Sequence, residues 1–325
     1  MDVLPFDSWC FSQAGLHLQD GPQAMFAYQQ AALQRQARWA VAHSPFYRRL
    51  YRDVDWAYPQ SWPLMTQEDL RRFERQLVCL PQSGVQRIVS QFTSGSAGPA
   101  KRVYFSREDL AASEDFFVQG LQPWLSAGGA LWICLSGPEP DGLGQTLAQA
   151  GRRLNAEAYV LGEKAAPDQA AALAAQAPPQ VLIGAPRPTL ALARALPGLR
   201  PQTVFLSTDD VEEATRRQVS RLWQCRTLAH WGMTETGWGG GLECAPGSGY
   251  HLRHGDLYVE IIHPQSGEIL PPGEEGEVVI STLNRRAMPL LRYRTGDISR
   301  LLPGPCPCCG GVLPRLGPVR GHRLP

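Results

Sequence analysis

Between residues 129 and 230 short apolar runs alternate with helix-patterned segments, a pattern that few folds accommodate. ALWICL, AEAYVLG, QVLIGA, TVFLS and RTLAHW read as strands. Between them GLGQTLAQAGRRL, PDQAAALAAQA, PRPTLALARAL and DDVEEATRRQVSRLW read as helices, the last with aspartates in its first turn, where the helix dipole favours them. Such alternation predicts an α/β fold with a mostly parallel, helix-covered sheet. In these sheets ligands bind beyond the carboxyl ends of the strands. The segments that follow strands are therefore the places to look for chemistry.

The flanks differ. Residues 22–53 carry helical spacing up to SPFYRRLY, interrupted at Pro45. In WPLMTQEDLRRF, Thr66 and Asp69 form a capping pattern, and Ser106 and Asp109 repeat it in SREDL. Beyond Tyr250, LYVEII and GEVVIST, with the turns PQSGE and PPGEEGE, predict a β-rich part. The expected organisation is an α/β core over residues 1–250 and a β-rich subdomain over 251–325. A chain of 325 residues can bury a sizeable core. Its net charge of +1 draws it neither to nucleic acid nor to an acidic membrane, so any anion must be held by local groups. MDVLPFDSW lacks the basic start of a secretory signal, and the longest apolar stretch, residues 129–135, is too short to span a bilayer. The expectation is a soluble, cytoplasmic protein. Cys10, Cys79, Cys134 and Cys225 are scattered and read as small buried apolar residues.

Three stretches carry candidate chemistry. QFTSGSAGPAKRVYFS follows a strand-like run and precedes a helix. Its glycines and hydroxyls can turn backbone N–H groups inward as an anion nest, with Lys101 adding charge. The Walker spacing is absent, and a solvated turn would have the same composition. AHWGMTETGWGGG follows another strand, and Gly232 and Gly237 would let backbone approach a ligand. Glu235 there is suited to Mg²⁺ beside a polyphosphate, or is an exposed loop residue. In LLRYRTGDISRL, Asp297 can accept two hydrogen bonds from a ribose diol, or simply occupies a β-turn.

In their order, TSGSAGPAK, HWGMTE and RYRTGD resemble the phosphate-loop, Mg-glutamate and ribose-aspartate motifs of adenylate-forming enzymes. SPFYRRLY, WPLMTQEDL, ECAPGSGYH, GEEGEVVISTLNRRAMPLLRYRTGD and CPCCGGVLPR resemble the phenylacetate–CoA ligase branch, over roughly residues 40–323. The resemblance implies the N-terminal domain fold of that superfamily. It also implies ATP-dependent adenylation of an aromatic or small carboxylic acid through an acyl-AMP, with CoA as co-substrate. Thr93, Ser94, Gly95, Ser96, Gly98 and Lys101 would wrap the phosphates. Glu235 would bind Mg²⁺ and Thr234 would touch the α-phosphate. Asp297 would hold the ribose. Ser207, Thr208, Asp209, Trp231 and Gly232 would surround the adenine, with Trp231 stacking on it. Trp132 and Trp238 are candidates for the acyl pocket.

The C-terminal cysteines complete this reading. Cys244, His251, Cys306 and Cys309 make a Cys₃His set suited to structural Zn²⁺, with Cys308 as the alternative knuckle ligand, and some relatives look similar here. Unrelated reduced thiols are the bland alternative. His254 and His263 read as surface histidines. Two departures stand out. Pro99 is displaced by one place from the family's Gly-x-Pro-Lys pattern, which removes an N–H from the nest. The sequence stops at VRGHRLP, with His322 at the place of the hinge arginine. The family's hinge aspartate and C-terminal lid are then expected to be absent, and thioester formation to need a lid supplied separately. The rival expectation is a lidless nucleotide- or acyl-adenylate-binding module acting with a partner protein. A homodimer is compatible with either.

Overall fold

The computed structural model describes residues 6–91, 100–135 and 142–321. Its largest element is a nine-stranded sheet. Five strands are parallel and contiguous, in the order Glu157–Val160, Ala130–Cys134, Pro179–Gly184, Thr203–Leu206 and Arg226–Trp231. Four shorter antiparallel strands extend it: Gly241–Glu243, Tyr250–Leu252, Arg315–Leu316 and Leu301–Leu302. Helices Leu143–Arg153, Pro167–Ala174, Pro186–Ala195 and Glu213–Trp223 link the parallel strands. Successive side chains of a strand face opposite sides. Leu131 and Ile133 accordingly join one apolar cluster with Phe116, Val181 and Phe205, while Trp132 and Cys134 join another with Leu182, Val204 and Trp223. Both faces of the parallel region are buried except at its edge strand Glu157–Val160, which is why the inner strands read as continuous apolar runs.

A second, three-stranded antiparallel sheet comprises Leu257–Ile262, Gly276–Thr282 and Tyr293–Ser299. Helices Gly21–His43 and Pro45–Leu50 pack on it, so that Leu33, Tyr47, Val259, Ile261, Val278 and Ile280 share one cluster. The two helices part at Ser44, whose hydroxyl accepts from Tyr47 N. Thr66 and Ser106 both form complete capping boxes with Asp69 and Asp109. Each cap contributes about 1 kcal/mol.

Three expectations shift. The helix expected from Asp209 starts only at Glu213, so Asp209 and Asp210 belong to the loop after a strand. Lys101–Phe105 is a strand that pairs with Arg87–Gln91 and intervenes before the helix at Arg107. Asp297 lies within a strand rather than a turn, where the register slips opposite Glu277–Val279 and Gly296 takes φ 83°. The N-terminal helix Phe6–Gln13 has no counterpart in the sequence reading; it packs Cys10 and Phe11 against Met25 and Leu313. Among the described residues no helix is long and apolar enough to cross a membrane.

Candidate active site and cysteine–histidine cluster

The carboxyl ends of Thr203–Leu206 and Arg226–Trp231 open into a cleft of about 270 Å³. Lys101, Thr208, Asp209, Trp231, Gly232, Glu235 and Asp297 all line it. These residues come from four separate stretches of chain, and the fold brings them to one wall. Thr93, Ser94, Gly95, Ser96 and Gly98 lie outside the described residues. Thr234 is buried in the turn Thr234–Thr236 and Ser207 sits behind the cleft, so neither is part of its described lining.

Glu235 is the electrostatic centre of the wall. It is 1 % exposed. Its Oε1 accepts from Lys101 Nζ at 2.7 Å and from the Tyr293 hydroxyl at 2.9 Å. Its Oε2 is buried and has no partner among the described residues. An unpaired buried carboxylate oxygen is costly. Burial and the neighbouring Glu235 push the Tyr293 phenol well above its ordinary pKa, so it stays a donor. Sequence reasoning missed Tyr293; its place beside the Arg-Thr-Gly-Asp run was the available signal.

Trp231 donates its indole N–H to Asp297 Oδ2 at 3.0 Å. Its benzo edge lies where a Cβ on Gly240 would fall, so glycine there lets the ring sit flat against backbone. Gly232 is needed for a similar reason. A side chain would collide with the Trp238 carbonyl, a constraint internal to the protein rather than one set by a ligand. Thr208 has φ 73°, a left-handed conformation that a β-branched residue avoids. Its hydroxyl donates to the Ser207 carbonyl at 2.6 Å and offsets part of that strain. Strain held at a cleft wall is characteristic of functional loops.

His230, also absent from the sequence reading, stands between the cleft and a narrow apolar pocket formed by Phe117, Leu121, Leu147, Phe205 and Leu242. Burial lowers its pKa to about 4, so the ring is neutral. The two tryptophans read as acyl-pocket candidates are both buried. Trp132 is in the core and donates to the Ala177 carbonyl. Trp238 stacks on Phe105 with centroids 5.2 Å apart.

A second cluster forms just beyond the end of strand Gly241–Glu243, around Cys244. One ligand atom from each of Cys244, His251, Cys306 and Cys309 lies within 4.8 Å of all the others. Cys244 and Cys306 sulfurs are 3.7 Å apart, and Cys309 Sγ is 3.4 Å from His251 Nε2. The knuckle is closed by Gly310 N donating to the Cys306 carbonyl at 2.8 Å and Cys306 N donating to the Gly311 carbonyl at 2.6 Å. Burial raises the Cys306 thiol, but the backbone N–H groups of Cys309 and Cys308, with His251 and Cys244, outweigh it and bring the pKa to about 6. Cys308 is exposed and stands outside the set. Asp7, from the N-terminal helix, lies 3.8 Å from His251 Nδ1 and accepts from Val312 N and Leu313 N at 2.6 and 3.0 Å. Cys10, Cys79, Cys134 and Cys225 are buried as expected. His263 is exposed, but His254 is buried, with Nδ1 and Nε2 against Gln29 and the Pro314 carbonyl.

No protein-family model matches the chain. It is 28 % identical over 321 residues to a phenylacetate–coenzyme A ligase of Thermus thermophilus, covering 91 % of this chain and 70 % of that protein. A phenylacetate–coenzyme A ligase of Escherichia coli is 26 % identical over 308 residues, covering 85 % and 68 %. The fold superposes on 2-hydroxyisobutyryl-CoA ligase in its postadenylation state with a TM-score of 0.79 at 19 % identity, over 91 % of this chain and 67 % of that one. These similarities place the chain in the adenylate-forming superfamily, as a phenylacetate–CoA ligase-like protein.

Proposed function

We propose that the chain binds ATP and adenylates an aromatic or small carboxylic acid, and that the acyl group then passes to CoA. The observation that carries this reading is that Glu235 Oε2, on a cleft wall that also bears Lys101 and Asp297, has no partner among the described residues. A carboxylate oxygen in that condition fits Mg²⁺, which takes one or two carboxylates with phosphate oxygens. When bound, the ion would neutralise phosphate charge. Asp297, fixed by the Trp231 N–H, would accept from the ribose hydroxyls, and Thr208 and Asp209 would border the adenine. Lys101 would stand beside the phosphates, with residues 93–98 completing the cradle. Thr234 would reach the α-phosphate by a small movement of its turn.

In the reaction a carboxylate oxygen bonds to the α-phosphorus of ATP. The bond from that phosphorus to the bridging oxygen breaks, and its electron pair leaves with pyrophosphate. No proton moves, so the protein's contribution is position and charge. The core, residues 1–250, would carry both substrates, and residues 251–325 would supply Asp297 and the knuckle. The Cys₃His donor set suits a closed tetrahedral Zn²⁺ held by Cys244, His251, Cys306 and Cys309. Its role would be to tie the segment after the Glu235 turn to the C-terminal strands.

ATP–pyrophosphate exchange across a panel of aromatic and aliphatic acids tests the reading. Acid-dependent exchange is expected. Absence of exchange with every acid would overturn it.

A further inference from the structure

His230 has one nitrogen with no role in the chemistry above. Its Nδ1 is 2.7 Å from Ser207 Oγ, and its ring packs against Phe116 and Phe117 with centroids 5.9 and 5.8 Å away. The ring therefore cannot turn to find another partner. Nε2 is buried and unpartnered among the described residues. The same side chain lines both the nucleotide cleft and the apolar pocket behind it, whose described lining is otherwise Ser207, glycine and hydrocarbon. That pocket has about 20 Å³ of free space, room for one polar atom of water size.

The pocket is apolar and adjoins the cleft at His230, so the acyl chain of an acid activated in the cleft can enter it past that ring. If Ser207 donates to Nδ1, Nε2 carries the proton and needs an acceptor. If Nδ1 donates to Ser207, Nε2 needs a donor. A hydroxyl serves either tautomer. A purely hydrocarbon acyl group would leave Nε2 unpaired after excluding water from it, which costs affinity.

We propose that His230 selects for an acid whose acyl group carries a hydroxyl oxygen, received by Nε2 at the mouth of the apolar pocket. This inference rests on the adenylating function and names the substrate class of the same site.

The test uses non-hydrolysable acyl-sulfamoyl adenosines, prepared in pairs that differ only by one hydroxyl at the 2-position, the 3-position or on a ring. Their binding to the full chain is measured by calorimetry beside AMP. At least one hydroxylated member should bind about tenfold more tightly than its parent. His230→Phe should erase that preference, and His230→Gln, which keeps an amide in reach of the same oxygen, should retain part of it. If His230→Phe does not fold, the His230→Gln protein and the wild-type pairs still decide. Equal binding within every pair would overturn the proposal while leaving adenylation intact. If no acyl-adenylate mimic binds more tightly than AMP, the adenylating function fails and this inference fails with it.

Discussion

The cleft and the cysteine–histidine cluster adjoin one short strand, Tyr250–Leu252, whose Tyr250 lines the first and whose His251 belongs to the second, and they handle polar groups in opposite ways. In the cleft, Glu235 Oε2 and His230 Nε2 are held in place by neighbours that use only their other atom. About 270 Å³ of space adjoins them. In the cluster the four ligand atoms lie within 4.8 Å of one another, Asp7 stands behind His251, and only about 40 Å³ of space adjoins them. A site that must admit and release substrates keeps unsatisfied atoms on rigid supports. A site that only holds the chain together turns all of its donors inward. The difference teaches that the first should fail in rate and the second in stability.

Glu235→Gln is the strongest way to break that contrast. The amide keeps the volume but removes the charge facing Lys101. Exchange activity should fall by about 10²–10³-fold, with circular dichroism and melting nearly unchanged, because the lost group acts where charge develops. A large loss of melting temperature with retained exchange would mean that Glu235 is structural, as Lys101 and Tyr293 contacts alone could make it. Cys306→Ser probes the other side. It removes a buried ligand from the set, and losses of a metal ligand rank among the larger single-site effects, about 4 kcal/mol. Melting should drop by about 10 °C and bound zinc, measured by mass spectrometry, should disappear. Exchange per folded molecule at low temperature should persist. Loss of exchange without loss of stability would erase the distinction between the two regions.

How much of this could be read in the sequence depended on whether partners were local. The parallel strands were legible because residues such as Leu131 and Trp132 are apolar on both faces, and the caps at Thr66 and Ser106 because their partners lie three residues away. The four cluster residues were legible because thiols and an imidazole are rare and specific ligands. Tyr293 was not, since it reaches Glu235 across 58 positions and a tyrosine in a strand normally packs. His254 was misread as a surface residue because nothing local shows that Gln29 and Pro314 will enclose it. Trp132 and Trp238 are both buried, and an aromatic at a strand end has the same sequence signature in a pocket and in a core. Asp7 is the extreme case, acting 305 positions from its partner Val312.

Asp7→Asn sharpens the comparison at a smaller scale. The amide oxygen can still accept from Val312 N and Leu313 N, but the charge beside His251 Nδ1 is gone. Partners behind a ligating histidine typically contribute 10–100-fold in metal affinity. Competition with a chromogenic chelator should show zinc held about 10-fold more weakly, while exchange at saturating zinc stays at the wild-type rate. A change in exchange with unaltered zinc affinity would instead tie the N-terminal helix to the cleft.

The smallest effect is expected from Trp231→Phe, because only one neutral donor is withdrawn from Asp297 and the carboxylate itself remains. Without the indole N–H, Asp297 loses the contact that aims Oδ2 into the cleft, and part of the ring that lies on Gly240 is lost as well. A hydrogen bond to a charged group at this half-open position is worth about 1 kcal/mol net, which corresponds to about a 5-fold change. Asp297 would meet the ribose, remote from the α-phosphorus, so its weakening should act equally on ground and transition states. The expected signature is therefore a KM for ATP raised about 5-fold with kcat unchanged in the exchange assay. A matching fall in kcat would show that the ring, through the Asp297 contact, also sets the position of the reacting phosphate. It would then belong with Glu235 among the groups whose removal is felt in rate.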